Sequence, residues 1–296
     1  MLIEPRQIDR LGNLRLKARS IVEGVINGMH RNPHKGSSVE FAEYKEYSPG
    51  DEIKHVDWRA WGRLDRYFVK QFEDETNYRA YLLLDTSGSM DFAFEEAPRK
   101  LDHAATLLAA VAWLLLSQGD APGLLCFDER PGSWLPPASK RTQFEDICRV
   151  IEARPATGRT SVEAALSRIA ERVHARSMVA IFSDFLDAGD DMLTLARVLR
   201  RRGHEVVLFH VLDRAELELP YEGLTLFEGM ESDGEALVDP DDVRSRYREL
   251  MQAHIARIEH ACRVADIEYF RAVTREPAER VILDFVQGRA RPRARR

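Results

Sequence analysis

The run Asp85-Thr86-Ser87-Gly88-Ser89-Met90 offers a carboxylate and two hydroxyls at alternate positions, with Gly88 permitting a tight turn. It directly follows the apolar run Tyr81-Leu82-Leu83-Leu84. A second carboxylate, Asp184, follows Ser183 at the end of the apolar run Met178 to Phe182, and Thr160 adds a hydroxyl from the loop Gly158-Arg159-Thr160 that leads into a helix. Every donor in this set is oxygen. Hard cations prefer oxygen, and a few carboxylates among neutral hydroxyls leave room for water, which suits Mg²⁺ or Mn²⁺ better than zinc. Such a set also leaves coordination positions unfilled. A cation with residual positive charge accepts a carboxylate from another molecule, which is a way of binding that requires no bond to break.

The elements that must position these residues are read from periodicity. Before about residue 78 strand-like pieces predominate, and after it apolar strands alternate with amphipathic helices. Tyr81-Leu82-Leu83-Leu84 has the unbroken apolar character of a strand buried on both faces of a parallel sheet. The order then reads helix 98–117, strand 123–127, a short edge strand near Trp134, helices 144–152 and 161–173, strand 178–183, helix 192–201 and strand 205–211. A possible hairpin at 224–238 precedes a helix with the stripe Val243, Tyr247, Leu250, His254, Ile258 and Ala261, then a strand at 267–270 and a helix at 277–286. This alternation predicts an α/β fold with a doubly wound, mainly parallel sheet and helices on both faces. Ligands collect beyond the carboxyl ends of such strands where the order reverses. If the first strand lies beside the fourth, Asp85 and Asp184 face one crevice. Upstream, Ile8, Leu11, Leu14, Ala18, Ile21, Val25 and Met29 form one helical stripe, and 39–47 and 67–75 read as extended around the turn Ser48-Pro49-Gly50-Asp51.

Composition narrows the function classes. With 44% apolar residues the chain can build a sizeable core, and a net charge of −6 has the wrong sign for a body that holds nucleic acid by counterion release. Three well-separated cysteines, Cys126, Cys148 and Cys262, suit neither a disulfide framework nor a zinc knuckle and point to a reducing compartment. The apolar run 104–116 is shorter than the roughly 20 residues of a spanning helix, so it reads as a buried helix. With no secretory signal recognisable at the N-terminus, the expected location is cytoplasmic, with no membrane span.

Asp85-Thr86-Ser87-Gly88-Ser89, Thr160 and Asp184 match the metal-ion-dependent adhesion site of von Willebrand factor A-type domains, a resemblance that spans most of residues 79–287. The resemblance implies direct ligation of Mg²⁺ or Mn²⁺ by Ser87, Ser89 and Thr160, with Asp85 and Asp184 acting through water or by orienting the hydroxyls. Glu40-Phe41, Tyr47 to Asp51, Val56-Asp57-Trp58, Val69-Lys70 and Phe72 to Glu75 narrow it further. Together with Asp85 they resemble the bacterial family known as domain of unknown function number fifty-eight. Lys45 and Lys54 stand where that family commonly has arginine, which keeps the charge but weakens any bidentate contact. The family resemblance implies a MoxR-type AAA+ ATPase as partner and a role in assembling or activating a client protein, which would supply the acidic residue to the metal. The expected organisation is a β-rich module with its helix at 1–78, a von Willebrand A-like domain at 79–287 and a disordered basic tail at 288–296.

Other chemistries fit less well. A phosphatase-like hydrolase using Asp85 is the alternative, but it needs a second carboxylate two residues on as general acid, where Ser87 stands. Around Ser87 and Ser89 there is no Gly-x-Ser-x-Gly elbow, and no phosphate-cradling Gly-x-x-x-x-Gly-Lys loop occurs, so ATP hydrolysis would belong to a partner. The reading is therefore of a binding protein and not an enzyme. Trp58 and Trp61 read as packing residues, His254 as a satisfied core histidine, and His30, His34 and His55 lack ligand spacing.

Overall fold

The computed structural model describes residues 13–30, 44–46, 68–70, 78–129, 131–173, 176–231 and 234–290. These divide into two compact units, one comprising the described residues up to Ile26 and from Tyr78 on, the other lying within Asn27–Asn77. In the smaller unit, β1 (Tyr44–Glu46) and β2 (Phe68–Lys70) pair antiparallel, with Lys45 opposite Val69. The Ser48 to Asp51 turn and Trp58 and Trp61 lie outside the described residues.

The larger unit is organised around a six-stranded sheet. Its strands are β3 (Arg79–Asp85), β4 (Ala121–Phe127), β5 (Pro131–Leu135), β6 (Ser177–Ser183), β7 (Glu205–Leu212) and β10 (Glu268–Val273), in the spatial order β10-β7-β6-β3-β4-β5. All neighbours are parallel except the β4–β5 pair at one edge. The first strand of the sheet therefore lies beside the fourth, Leu84 opposite Phe182. This is the doubly wound order, whose crevice opens where chain connections leave β3 and β6 in opposite directions.

Alternation along each strand sends side chains to two cores. Tyr81 and Leu83 of β3 join Val179, Ile181, Leu125 and Phe127 beneath α4 (Val162–Ala170), α5 (Asp190–Arg201) and α7 (Pro240–Val264). Against the opposite face stand α2 (Lys100–Ser117), α3 (Gln143–Glu152) and α8 (Ala278–Ala290), with α2 contacting both of the others. Among the described residues α2 alone is long and apolar enough to cross a membrane, but 72% of that stretch is buried inside the protein, as a core helix requires. Phe209 on β7 stacks on Phe182 with ring centroids 4.4 Å apart and also meets Phe270 and Phe285. The three cysteines are free and buried, and loss of solvation pushes each thiol pKa up to about 12.

Several expectations need correction. Helix α1 (Leu14–His30) buries Ala18, Ile21 and Val25 as its stripe requires, but up to Ile26 it belongs with the sheet and not with the β-rich piece. Arg15 explains the docking: it pairs with Glu145 and Glu152 on α3, while the Arg19 guanidinium lies 4.4 Å from the Trp113 ring centroid. Ile8 and Leu11 fall outside the described residues. On α7 the stripe is buried only at its C-terminal end, through Ile258 and Ala261; Val243 and Leu250 are exposed, in the half of the helix where Arg244 and Arg248 bond the carbonyls of Leu219, Tyr221 and Glu218. Helix α8 continues through Ala290, so the segment assigned to a disordered tail begins as helix, where Arg289 meets Glu205; residues 291–296 lie outside the description. The hairpin is present as β8 (Thr225–Glu228) and β9 (Glu235–Val238).

Phe209→Ala should destabilise the fold by about 3–5 kcal/mol, because it empties the centre of a four-ring cluster. Urea denaturation measures this, and a loss below about 1 kcal/mol would mean that the layer is not close-packed.

Candidate functional site

The C-terminal ends of β3 and β6 deliver two carboxylates that no solvent reaches, Asp85 and Asp184. Asp85 ends a strand, and its Oδ1 accepts the Ser87 backbone N–H at 3.0 Å, closing a turn over Thr86. Its Oδ2 accepts two hydroxyls, Ser183 at 2.6 Å and Thr160 at 2.8 Å. A hydroxyl that donates its hydrogen to Asp85 keeps its lone pairs for another partner. Ser87 Oγ and Ser89 Oγ stand 3.2 Å apart. The loop carrying Thr160 is fastened to the β3 loop by backbone bonds from Gly88 N–H to the Gly158 carbonyl (2.8 Å) and from Thr157 N–H to the Thr86 carbonyl (2.9 Å). Ser161 then caps α4 by accepting the Ala164 N–H.

Asp184 is held differently. Its Oδ1 accepts the Leu186 N–H at 3.2 Å, and its Oδ2 takes the ammonium of Lys100 at 2.6 Å. Lys100 begins α2 and is completely buried, which a lysine tolerates only when paired. Its second partner is Glu216 Oε1 at 2.5 Å. Glu216 belongs to the short helix α6 (Arg214–Glu218), where its other oxygen accepts the Asp213 N–H in a capping box. Burial alone would lower the Lys100 pKa, but Asp184 and Glu216 outweigh it and hold the ammonium above its ordinary value. Burial would raise Asp184, but Lys100, with help from the Ser89 hydroxyl, holds it below the ordinary carboxylate value. Among the described residues Asp85 has no such cation. Burial, and then the charge of Asp184, push it up to about 6 against the hydrogen bonds from Ser183 and Ser87.

The backbone beyond Asp184 is strained. Phe185 is fully buried with φ of 51°, a left-handed conformation that costs a bulky side chain about 1–3 kcal/mol and clusters at functional sites. His254 on α7 donates from Nε2 to the Phe185 carbonyl at 3.0 Å, which fixes its tautomer and supports the turn. The core histidine expected from the stripe is thus a tether for the strand-end loop.

A further carboxylate reaches the set from the hairpin tip. Glu231 is buried, and its two oxygens accept backbone N–H groups of Ser89 (3.4 Å) and Thr160 (3.2 Å). A side chain at position 88 would overlap the Met230 carbonyl and lie 3.3 Å from the Gly158 carbonyl, so Gly88 is required by this close approach.

All five residues expected at the site, Asp85, Ser87, Ser89, Thr160 and Asp184, come together in one crevice. Their donor chemistry fits a hard divalent cation: three hydroxyls retain free lone pairs, one buried carboxylate has no counter-charge among the described residues, and both aspartates are placed to orient hydroxyls. Among the described residues no three His, Cys, Asp or Glu side chains are grouped to hold a metal, so an ion here would depend on the serines and threonine. Lys100, Glu216 and Glu231 escaped the sequence reading. The spacing Asp213-x-x-Glu216 is a capping-box signal that could have located α6, whereas nothing local distinguishes Lys100 or Glu231 from solvated charges.

The strand order, with a polar crevice at its reversal point, defines a doubly wound, mainly parallel α/β domain. The chain matches the family described as protein of unknown function DUF58 over residues 43–257, and it belongs to that family. It is 28% identical over 265 residues to the uncharacterized protein Rv1480 of Mycobacterium tuberculosis, covering 88% of this chain and 82% of that protein. Among solved structures it is similar to BatB from Bacteroides thetaiotaomicron, with a TM-score of 0.48, 14% identity and coverage of 72% of this chain and 98% of that one. It is also similar to the SpRpn10 VWA domain, with a TM-score of 0.41, 9% identity and coverage of 70% and 94% respectively.

Lys100→Ala leaves Asp184 and Glu216 facing each other without a cation, and should destabilise the domain by about 3–5 kcal/mol in chemical denaturation. A change within about 0.5 kcal/mol would mean that the ion triad is not formed in solution.

Proposed function

We propose that this chain is a metal-dependent protein-interaction module whose crevice holds Mg²⁺ or Mn²⁺. Ser87, Ser89 and Thr160 supply direct hydroxyl ligands, while Asp85 and Asp184 orient them and provide negative charge. A bound cation would supply an open coordination position for a carboxylate. The observation that carries this reading is the pair of hydrogen-bonded hydroxyl sets around Asp85, with Thr160 donating into its Oδ2 and Ser87 beside Ser89. A fully buried carboxylate whose pKa is pushed up to about 6 by burial and then by the charge of Asp184 supports it, because a divalent ion relieves that cost.

The partner in this proposal is a protein that presents aspartate or glutamate to the metal. The resemblance of residues 40–75 to the family's upstream motifs suggests a MoxR-type AAA+ ATPase and its client as the two bodies to be connected, with the work done in the cytoplasm. The chain binds and does not catalyse; Ser87 stands where a phosphatase would need its acid.

Ser87→Ala should weaken Mg²⁺ binding at least about tenfold by calorimetry while the thermal midpoint of the metal-free protein stays near wild type. Identical affinities would remove the metal assignment. Binding should also weaken as pH falls through about 6, since the proton that Asp85 then carries must leave when the cation enters; calorimetry at pH 5 and pH 7.5 measures the difference. A pulldown in Mg²⁺ and in chelator, with wild type and Asp85→Ala, tests the partner: capture of a MoxR-type ATPase by wild type with Mg²⁺ alone is the expected result, and capture indifferent to both moves the binding surface elsewhere.

A further inference from the structure

Glu231 is an acidic side chain already seated at the mouth of the crevice. It reaches the backbone of Ser89 and Thr160, two of the three residues whose hydroxyls face the proposed ion. A buried carboxylate is stable only with strong hydrogen bonds or a cation, yet its bonds are long, 3.4 and 3.2 Å, and among the described residues no ion pair reaches it. Its placement is not incidental. The Met230 carbonyl closes against Gly88, and the Gly229 N–H to the Gly234 carbonyl (2.8 Å) joins the strands just short of the tip.

The described strands of the hairpin that carries Glu231 bury little of themselves. Leu226 and Leu237 face each other across its strands and are both exposed, 50% and 63%. Within β8, one rung from its tip end, Phe227 packs on Tyr221, which packs on Phe94, so one face of the strand is anchored. An element with few buried apolar contacts opens at low cost. Beyond Phe227, the described residues Met230 and Glu231 meet the rest of the protein at the crevice.

We infer that Glu231 is an internal ligand: it gives the metal-loaded site the carboxylate that a partner would otherwise give, and closes the β8–β9 hairpin over the crevice. A partner's acidic residue must then displace it, so the partner's apparent affinity is reduced by the fraction of molecules that are closed. The inference rests on the metal reading above and adds to it which residue of this chain competes for the open position.

The test uses the full chain and Mg²⁺ alone. Glu231→Ala should bind Mg²⁺ about tenfold more weakly than wild type in calorimetry, within the range found when a group supporting a metal site is removed. Added acetate should restore affinity to the variant and leave wild type unchanged. Hydrogen exchange of peptides covering 224–238 should slow on Mg²⁺ addition in wild type and not in Glu231→Ala. Wild-type Mg²⁺ affinity in Glu231→Ala, or hairpin exchange in wild type that ignores Mg²⁺, overturns the inference while leaving the metal site standing if Ser87→Ala still loses binding. Equal Mg²⁺ binding by wild type and Ser87→Ala overturns the metal reading and the internal ligand with it.

Discussion

Two carboxylates lie side by side in a place that water does not reach, at the ends of strands whose other residues are almost all hydrocarbon. Removing such charges from water costs several kcal/mol each unless they are compensated, and much of the chemistry in this unit can be read as the compensation. Asp184 has a lysine brought by the start of α2, and that lysine in turn requires Glu216 and the short helix that presents it. Among the described residues Asp85 meets only dipoles, three hydrogen bonds from Ser87, Ser183 and Thr160. The asymmetry matters: one side of the crevice is electrically closed, and the other has charge to spare.

The sheet was legible because its signals are local. Tyr81 to Leu84 and Met178 to Phe182 are unbroken apolar runs too short for helices, and amphipathic segments lie between them. The adjacency of Asp85 and Asp184 followed from a general rule about strand order. What could not be read depends on distances between residues far apart in the chain. Lys100 looks like any charged residue at a helix start, and its burial is decided by Asp184, 84 positions away. Glu231, 142 positions from Ser89, sits among the acidic and glycine residues that mark any surface turn. The N-terminal half of the α7 stripe misled for the opposite reason, since periodicity reports a helical face and not whether anything covers it.

Rigid and yielding parts are distributed unevenly around the crevice. Gly88, Gly158 and Thr157 tie two of its loops by main-chain bonds, and His254 braces the strained turn at Phe185. The hairpin, with half-exposed strands, is built to a looser standard. In the proposed binding mode, fixed walls and one soft side would let the crevice admit a second protein without disturbing the sheet behind it.

The thiols of Cys126, Cys148 and Cys262, shut in the core and barely ionised at neutral pH, are poor nucleophiles. The folded chain should therefore react slowly with maleimides and other thiol reagents. A single cysteine placed on the outer face of the hairpin would carry a fluorophore or spin label with little background from the wild-type sequence, which makes the protein its own clean reporter.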